Sequence, residues 1–155
     1  MRAYQKLVKE LKEKKLTIST AESCTGGLIA KLITDIPGAS DVFIGGIVCY
    51  SNEMKMKWLG VKEMTLGQHG AVSEGTVQEM LSGIVRATGS DVAVAVSGIA
   101  GPTGGTPTKP VGTVIIGVVV QDQRLIKNFL FEGSRQNVRI KSAAKAAELI
   151  LSLLD

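Results

Sequence analysis

The chain has 155 residues, of which 45% are hydrophobic, 21% charged and 4% aromatic, and its formal net charge is +4. This length suits one domain with one core, and the composition excludes a disordered or fibrous protein. So few aromatic residues leave little for the stacking platforms that bind single-stranded nucleic acid. We therefore expect a single globular domain over residues 1–155 with an aliphatic core.

Two cysteines, Cys24 and Cys49, are too few for a disulfide framework, and neither has a partner at the Cys-x-x-Cys spacing of zinc and redox sites. No apolar stretch approaches the ~20 residues of a membrane span. The amino terminus leads directly into an amphipathic, lysine-rich pattern. These features predict a cytoplasmic protein with reduced thiols, no membrane association and no bound metal.

The first helix is predicted to end near Lys14, and its apolar positions recur at helical spacing. They are Tyr4, Leu7, Val8 and Leu11. Five lysines flank this stripe, but Glu10 and Glu13 are interleaved with them. We interpret the lysines as a solvated helix face rather than a nucleic-acid site.

A short strand is predicted over residues 16–20, followed by the sequence AESCTGG at 21–27, which opens a second helix. Pro37-Gly38 is expected to terminate that helix. Backbone N–H groups at a helix start can bind an anion, and a nucleophile at the end of the strand would lie beside them. Ser23 is the candidate nucleophile, with the Cys24 thiol as the alternative.

Residues 41–50 are apolar enough for a central strand, and the glycine pair Gly45-Gly46 indicates a bulge or a close approach. Asn52 is expected to cap a helix that runs to Leu59 and closes at Gly60. Residues 61–71 show no clean period, so we interpret them as a connecting segment.

Ser73 is expected to cap the next helix, which Gly89 ends. Residues 91–96 predict a buried strand, and the glycine-rich loop 97–107 follows it.

Residues 111–120 and 125–131 predict an antiparallel hairpin joined by the polar tetrad 121–124, and residues 135–154 predict a last helix. Helices before, between and after such apolar strands imply a three-layer α/β/α sandwich with a mixed sheet.

A serine needs a base to take its proton near neutral pH. The single histidine, His69, has no acidic residue at an obvious triad spacing, and the Gly-x-Ser-x-Gly elbow is absent, so a Ser-His-Asp hydrolase is disfavoured. The Ser-Lys variant needs a lysine whose pKa is lowered, and Lys55 stands in the first turn of a predicted helix, where the helix dipole disfavours an ammonium. Tyr50 is expected at the mouth of the same cleft, where it would orient or pass a proton.

Two glycine loops and an arginine pair are the candidate binding elements. The amides of Gly26 and Gly27 can serve an oxyanion or a phosphate. The loop from Ser97 follows the carboxyl end of a strand, where α/β sheets form ligand crevices, although a tight structural connection is an equally good interpretation. Arg135 and Arg139, at i and i+4, form either a grip for a phosphate or carboxylate or a plain surface pair.

These motifs closely resemble the CinA C-terminal domain family. The matching segments are TAESCTGG at 20–27, PGAS at 37–40, YSN at 50–52 with Lys55, HGAVS at 69–73, and GIAGP at 98–102 continuing to KPVGT at 109–113. The resemblance implies hydrolysis of the carboxamide of nicotinamide mononucleotide to nicotinate mononucleotide and ammonia, a step in pyridine nucleotide salvage. That scheme needs no cofactor and no metal.

By resemblance, Ser23 is the nucleophile, and Tyr50 and Lys55 are its partners. The residues expected to contact the substrate are Thr25, Gly26, Gly27, Ser97, Gly98, Gly101, Arg135 and Arg139. Thr103 stands where the family usually has another glycine, and Ser134 where an aspartate commonly precedes the arginine. These departures bear on substrate preference more than on activity.

Two other classes stay open at this point. One is a non-catalytic interaction module, since the family is linked by name with competence and DNA damage, and the other is an amidohydrolase with Cys24 as its nucleophile. The expected partner is a small molecule rather than a nucleic acid or a membrane, and a homo-oligomer is left open.

Overall fold

The computed structural model describes residues 2–155, which form one sheet flanked by helices. The helices are α1 (Arg2–Lys14), α2 (Leu28–Thr34), α3 (Asn52–Leu59), α4 (Glu63–His69), α5 (Glu74–Thr88) and α6 (Arg135–Leu154). The strands are β1 (Ile18–Glu22), β2 (Phe43–Val48), β3 (Val92–Gly98), β4 (Thr113–Val120) and β5 (Gln123–Leu130). None of the helices within residues 2–155 is both long and apolar enough to cross a membrane.

The sheet has the order β2-β1-β3-β4-β5. β1 pairs in parallel with β2 and β3, whereas the β3–β4 and β4–β5 pairs are antiparallel. Helices α1, α2 and α6 cover one face of the sheet, α3 and α5 cover the other, and each face buries its own aliphatic core. The predicted three-layer α/β/α sandwich with a mixed sheet is confirmed.

Capping residues in the sequence correctly mark where helices begin and end. The Ser73 hydroxyl accepts the Thr76 N–H at 3.2 Å at the start of α5, and Gly89 ends that helix with a φ of 68°. The last helix begins behind Ser134, whose hydroxyl accepts the Asn137 N–H at 3.2 Å. Serine and aspartate both make good N-caps, so Ser134 can begin this helix as an aspartate would.

The expectation of a central strand over residues 41–50 is wrong, because β2 lies at the edge of the sheet and pairs only with β1. The bulge or close approach predicted at Gly45-Gly46 is confirmed. The register between β1 and β2 shifts at Ile18, and a Cβ on Gly46 would collide with the Thr20 hydroxyl. The uncharged sequence resembles that of a buried strand, but half of the residues of β2 are exposed.

Three boundaries also differ from the sequence predictions. Helix α3 is capped by Ser51, whose hydroxyl accepts the Met54 N–H at 3.1 Å, and Asn52 is its first residue. Helix α4 occupies the segment interpreted as a connection, and since it buries no residue it has no apolar period to detect. The hairpin turn is only two residues long, because β5 already begins at Gln123.

Candidate active site

The parallel strands β1, β2 and β3 end at the same edge of the sheet, since Glu22 is paired with both Val48 and Val96. A cavity of about 190 Å³ opens just beyond these strand ends. Its lining residues are Ser23, Cys24, Tyr50, Asn52, Lys55, Ala71, Val72, Ser97, Gly98, Ala100 and Arg135. The carboxyl edge of parallel strands is where α/β sheets form ligand crevices.

Ser23 and Lys55 meet at the bottom of this cavity. The Lys55 Nζ atom lies 3.0 Å from the Ser23 Oγ atom, although the two residues are 32 positions apart. Their exposed fractions are only 1% for Lys55 and 7% for Ser23. Ser23 follows β1 directly, and Lys55 lies in the first turns of α3, so the edge of the sheet and the start of a capped helix fix the pair.

The environment of Lys55 favours an uncharged amine. Burial lowers its pKa from the ordinary value, an effect that the Cys49 and Cys24 thiols partly oppose. Its Nζ atom also contacts the backbone carbonyls of Cys49, at 3.0 Å, and Tyr50, at 3.1 Å. A neutral amine has two N–H groups and one lone pair, so the two carbonyls can take the N–H groups while the lone pair accepts the Ser23 proton.

Tyr50 lies at the rim of the cavity, with 60% of the residue exposed. Its hydroxyl accepts a hydrogen bond from the Arg135 guanidinium at 2.9 Å. The contact between Tyr50 and Lys55 runs through the backbone carbonyl of Tyr50, not through the phenol. Lys55 therefore reaches Ser23 directly, without the phenol between them.

The Cys24 thiol has the wrong properties for a nucleophile. Cys24 is buried, and burial raises the pKa of its thiol to about 12. At neutral pH the group is thus a thiol rather than the reactive thiolate. Cys49 is also buried, and burial raises its thiol pKa as well.

The glycine-rich loop after β3 contributes to the cavity wall. The Ser97 hydroxyl donates to the Ala71 carbonyl at 2.8 Å, which ties the end of β3 to the segment before α5. Gly98 lines the cavity, and the Gly101 carbonyl accepts a hydrogen bond from Arg135 at 2.8 Å. Arg135 thus bridges this loop and Tyr50 across the cavity mouth.

Thr25, Gly26, Gly27 and Arg139 lie outside the cavity lining. The Thr25 hydroxyl donates to the Glu22 carboxylate at 2.6 Å, and the Gly26 N–H donates to the Ser23 carbonyl at 3.0 Å. Gly27 forms the N-cap of α2 with a φ of 99°.

The expectation of free N–H groups at the start of α2 is wrong. The buried Glu22 carboxylate accepts the N–H groups of Ile29, at 2.9 Å, and Ala30, at 3.0 Å. A side chain of the protein thus already holds the anion position that this helix start provides. The sequence does contain the signal, because a glutamate stands just before the turn that opens the helix.

Sequence reasoning missed part of the cavity wall. The sequence patterns indicate only a capping role for Asn52 and no role for Ala71, Val72 and Ala100, yet all four residues line the cavity. His69, the last residue of α4, is not part of the lining, although Ala71 and Val72 of the same HGAVS segment are. Residues 2–155 contain no group of three or more His, Cys, Asp or Glu side chains that could hold a metal ion.

The fold and the buried Ser–Lys pair define the chain as a three-layer α/β/α protein with a candidate nucleophile site at its sheet edge. The CinA C-terminal domain model matches residues 2–154, so the chain belongs to that family.

Proteins of similar sequence are named as CinA-like or as competence-damage inducible proteins. A CinA-like protein of Thermotoga neapolitana is 55% identical over 142 residues, which cover 92% of this chain and 35% of that protein. A putative competence-damage inducible protein of Caldanaerobacter subterraneus is 46% identical over 149 residues, covering 96% of this chain and 36% of that protein. The chain thus spans about a third of the length of these curated relatives.

Solved structures share the fold over nearly the whole chain. The crystal structure of the competence/damage inducible protein CihA from Agrobacterium tumefaciens superposes with a TM-score of 0.97 at 36% identity, covering 99% of this chain and 94% of that chain. A CinA superfamily protein from Klebsiella pneumoniae has a TM-score of 0.95 at 33% identity, covering 99% of this chain and 96% of that chain.

Proposed function

We propose that this protein is an amidohydrolase that converts nicotinamide mononucleotide to nicotinate mononucleotide and ammonia in the cytoplasm, as a step of pyridine nucleotide salvage. The observation that carries the proposal is the 3.0 Å contact between the buried Lys55 amine and the Ser23 hydroxyl. A buried lysine of lowered pKa beside a serine is the arrangement that Ser-Lys acyl transfer needs. The choice of substrate rests on the motifs that the chain shares with its family.

The first half of the reaction forms an acyl-enzyme. The Lys55 amine takes the Ser23 proton while the serine oxygen attacks the carboxamide carbon, which gives a tetrahedral intermediate. The resulting Lys55 ammonium then returns the proton to the amide nitrogen. The C–N bond breaks, ammonia leaves, and the acyl group stays on Ser23 as an ester.

The second half releases the acid. Lys55, neutral again, takes a proton from a water molecule, and the hydroxide attacks the ester carbon. The bond to the Ser23 oxygen breaks, and the oxygen takes the proton back from Lys55. The reaction consumes one water, yields one carboxylic acid and needs neither a metal nor a cofactor.

The oxyanion of both intermediates needs hydrogen-bond donors that face the cavity. The Gly26 N–H is engaged with the Ser23 carbonyl, so it is a poor candidate for this role. We assign the role to the backbone of the turn directly after Ser23 and to the Asn52 carboxamide, which lines the cavity. Amide side chains and turn N–H groups supply the oxyanion donors of many acyl transferases.

The ribose phosphate is assigned to the cavity mouth. Arg135 is exposed and lines the cavity, and it carries more N–H donors than its contacts with Tyr50 and Gly101 use. A guanidinium is well suited to bind a phosphate. The loop with Ser97, Gly98 and Gly101 would close around the same group.

The test is a chromatographic assay of nicotinamide mononucleotide with wild type, Ser23→Ala and Lys55→Met, and with Cys24→Ala as the matched control. We expect product from wild type and from Cys24→Ala, and none above background from the other two variants. A wild type without turnover would favour the non-catalytic interaction module. Equal turnover by wild type and Ser23→Ala would remove the proposed mechanism, and loss confined to Cys24→Ala would assign the thiol as nucleophile.

A further inference from the structure

The turn that carries the nucleophile, residues Ser23–Gly27, is held by a charged side chain that the proposed reaction does not use. The Arg139 Nε atom donates to the Cys24 carbonyl at 3.1 Å, and one of its terminal nitrogens donates to the Thr25 carbonyl at 3.0 Å. A planar guanidinium thus binds two successive carbonyls of this turn. The contact joins residues 114 and 115 positions apart.

We propose that Arg139 is a positioning residue that fixes the backbone of the nucleophile turn, and hence the direction of the Ser23 side chain. This inference rests on the proposed function only in taking Ser23 as the nucleophile. It departs from the expectation that Arg139 binds the substrate, because the side chain is absent from the cavity lining.

Peptide geometry explains how Arg139 acts at a distance. In a trans peptide the C=O of one residue and the N–H of the next residue point in opposite directions. When a partner binds that C=O, the N–H of the next residue therefore points away from the partner. With the Thr25 carbonyl held by Arg139, the Gly26 N–H reaches the Ser23 carbonyl at 3.0 Å. With the Cys24 carbonyl held, the Thr25 N–H is directed away from Arg139.

A second charged side chain also holds the turn. The Glu22 carboxylate, 1% exposed, accepts from the Thr25 hydroxyl at 2.6 Å and from the N–H groups of Ile29 and Ala30 in the first turn of α2. Gly26 leaves room for the guanidinium, since a Cβ there would lie 3.3 Å from an Arg139 nitrogen. A carboxylate and a guanidinium therefore both bind this one five-residue turn, with charge-assisted hydrogen bonds that are stronger than neutral ones.

The two arginines of α6 thereby have different assignments, although they lie one turn apart on the same face. Arg135 lines the cavity and holds Tyr50 and the Gly101 carbonyl. Arg139 donates its hydrogen bonds to the backbone carbonyls of Cys24 and Thr25, the two residues after Ser23. Loss of Arg139 should therefore slow chemistry at Ser23 without weakening substrate binding.

The experiment compares Arg139→Ala and Arg139→Lys with Arg124→Ala, a matched loss of a guanidinium on β5 that donates to the Ser82 hydroxyl of α5. Four quantities are measured: kcat for nicotinamide mononucleotide, KM for the same substrate, the rate at which a fluorophosphonate labels Ser23, and amide exchange in the peptide that contains the turn. A displaced nucleophile lowers kcat by about tenfold to a hundredfold.

We expect Arg139→Ala to lose kcat and labelling rate together, with KM nearly unchanged and faster amide exchange confined to the turn. Millimolar guanidinium should restore part of the labelling rate, and Arg139→Lys should lie between Ala and wild type. If Arg139→Ala proves unstable, the Lys variant supplies the same comparison. Arg124→Ala should match wild type in all four quantities.

Two results would overturn the inference. A higher KM with unchanged kcat would make Arg139 a substrate-binding residue, and exchange and labelling equal to those of Arg124→Ala would make it a surface residue. Labelling and exchange need no pyridine substrate. A wild type that is labelled at Ser23 but leaves nicotinamide mononucleotide intact would therefore remove the proposed substrate and not the role of Arg139.

Discussion

The Lys55 amine and the Ser23 hydroxyl lie 3.0 Å apart, and the other neighbours of the amine are two backbone carbonyls rather than a carboxylate. Carbonyl oxygens accept N–H groups without adding a negative charge that would hold the proton on the amine. The same three contacts fit an ammonium, which has three N–H groups, and a neutral amine, which has two N–H groups and a lone pair. The pair can therefore pass a proton back and forth without changing its geometry.

The first prediction concerns the pH dependence of activity. Because burial lowers the pKa of Lys55, the amine loses its proton at a lower pH than a free lysine does. Only the neutral amine can accept the Ser23 proton, so kcat/KM should rise with pH through this lowered pKa and level off above it. The midpoint of this rise should lie below pH 10.5, the ordinary lysine value.

The measurement is kcat/KM for nicotinamide mononucleotide across pH, together with the fluorophosphonate labelling rate as a second readout. Both curves should show the same ascending limb. A rate that is independent of pH, or that falls where Lys55 loses its proton, would contradict Lys55 as the general base.

The second prediction concerns stability. Folding lowers the Lys55 pKa, so the native state binds the Lys55 proton less tightly than the unfolded state does. The resulting cost to stability is complete below the native pKa and vanishes above the unfolded value near 10.5, so it shrinks as pH rises between the two. Lys55→Met has no proton at this position and lacks this dependence.

Urea unfolding of wild type and Lys55→Met at several pH values measures the effect. The free energy of unfolding of wild type, relative to that of the variant, should increase from neutral to alkaline pH. The comparison cancels the titration of all other groups. A difference that stays constant with pH would mean that folding does not change the Lys55 pKa.

The third prediction separates two roles for Tyr50. Its phenol holds Arg135 at 2.9 Å, and the contact with Lys55 runs through its backbone. Tyr50→Phe removes only the hydroxyl, so it should raise KM a few-fold through a less ordered Arg135 and leave kcat and the pH profile near wild type. Arg135→Ala should raise KM further, by about tenfold or more, because it would remove the proposed charged contact with the substrate phosphate.

Steady-state kinetics with nicotinamide mononucleotide and with its phosphate-free riboside distinguish the two roles of Tyr50. For the riboside, both variants should resemble wild type, since the lost contact is to the phosphate. If Tyr50→Phe lowers kcat for both substrates, the phenol is part of the proton path and the direct transfer between Lys55 and Ser23 is insufficient.

How far the sequence predicts this protein depends on whether a residue's signal is local. Ser73 and Gly89 mark the ends of α5 by cap chemistry that acts within one turn, and both were predicted correctly. Ser23, Lys55 and Tyr50 were selected from motifs, but their distances depend on strand order, which sequence patterns do not encode. Helix α4 was missed because it buries no side chain.

The residues that the sequence predicts to bind the substrate show the same division. Arg135 and Arg139 have identical spacing signals on α6, yet one lines the cavity and the other holds backbone carbonyls. Only the packing of α6 beside the turn after β1 separates them. In the sequence, Glu22 likewise stands out only as an acidic neighbour of Ser23. Its three hydrogen bonds depend on where α2 begins in the structure.

The last prediction uses the two neighbouring glycines of β2. A Cβ on Gly46 would collide with the Thr20 hydroxyl of β1, whereas a Cβ on Gly45 would meet no atom within 4 Å. Gly46→Ala should therefore force β2 away from β1 and lower the free energy of unfolding by about 1–3 kcal/mol, the usual cost of overpacking. Gly45→Ala should leave stability within about 0.5 kcal/mol of wild type.

Urea unfolding of the two variants measures the contrast, and kinetics shows its consequence for the site. β2 leads through Cys49 and Tyr50, whose carbonyls contact the Lys55 amine, so a displaced β2 should also shift that amine relative to Ser23. We therefore expect Gly46→Ala to lose kcat as well as stability, and Gly45→Ala to lose neither. Equal effects from both substitutions would mean that the close approach of β2 to Thr20 is not what sets the strand's position.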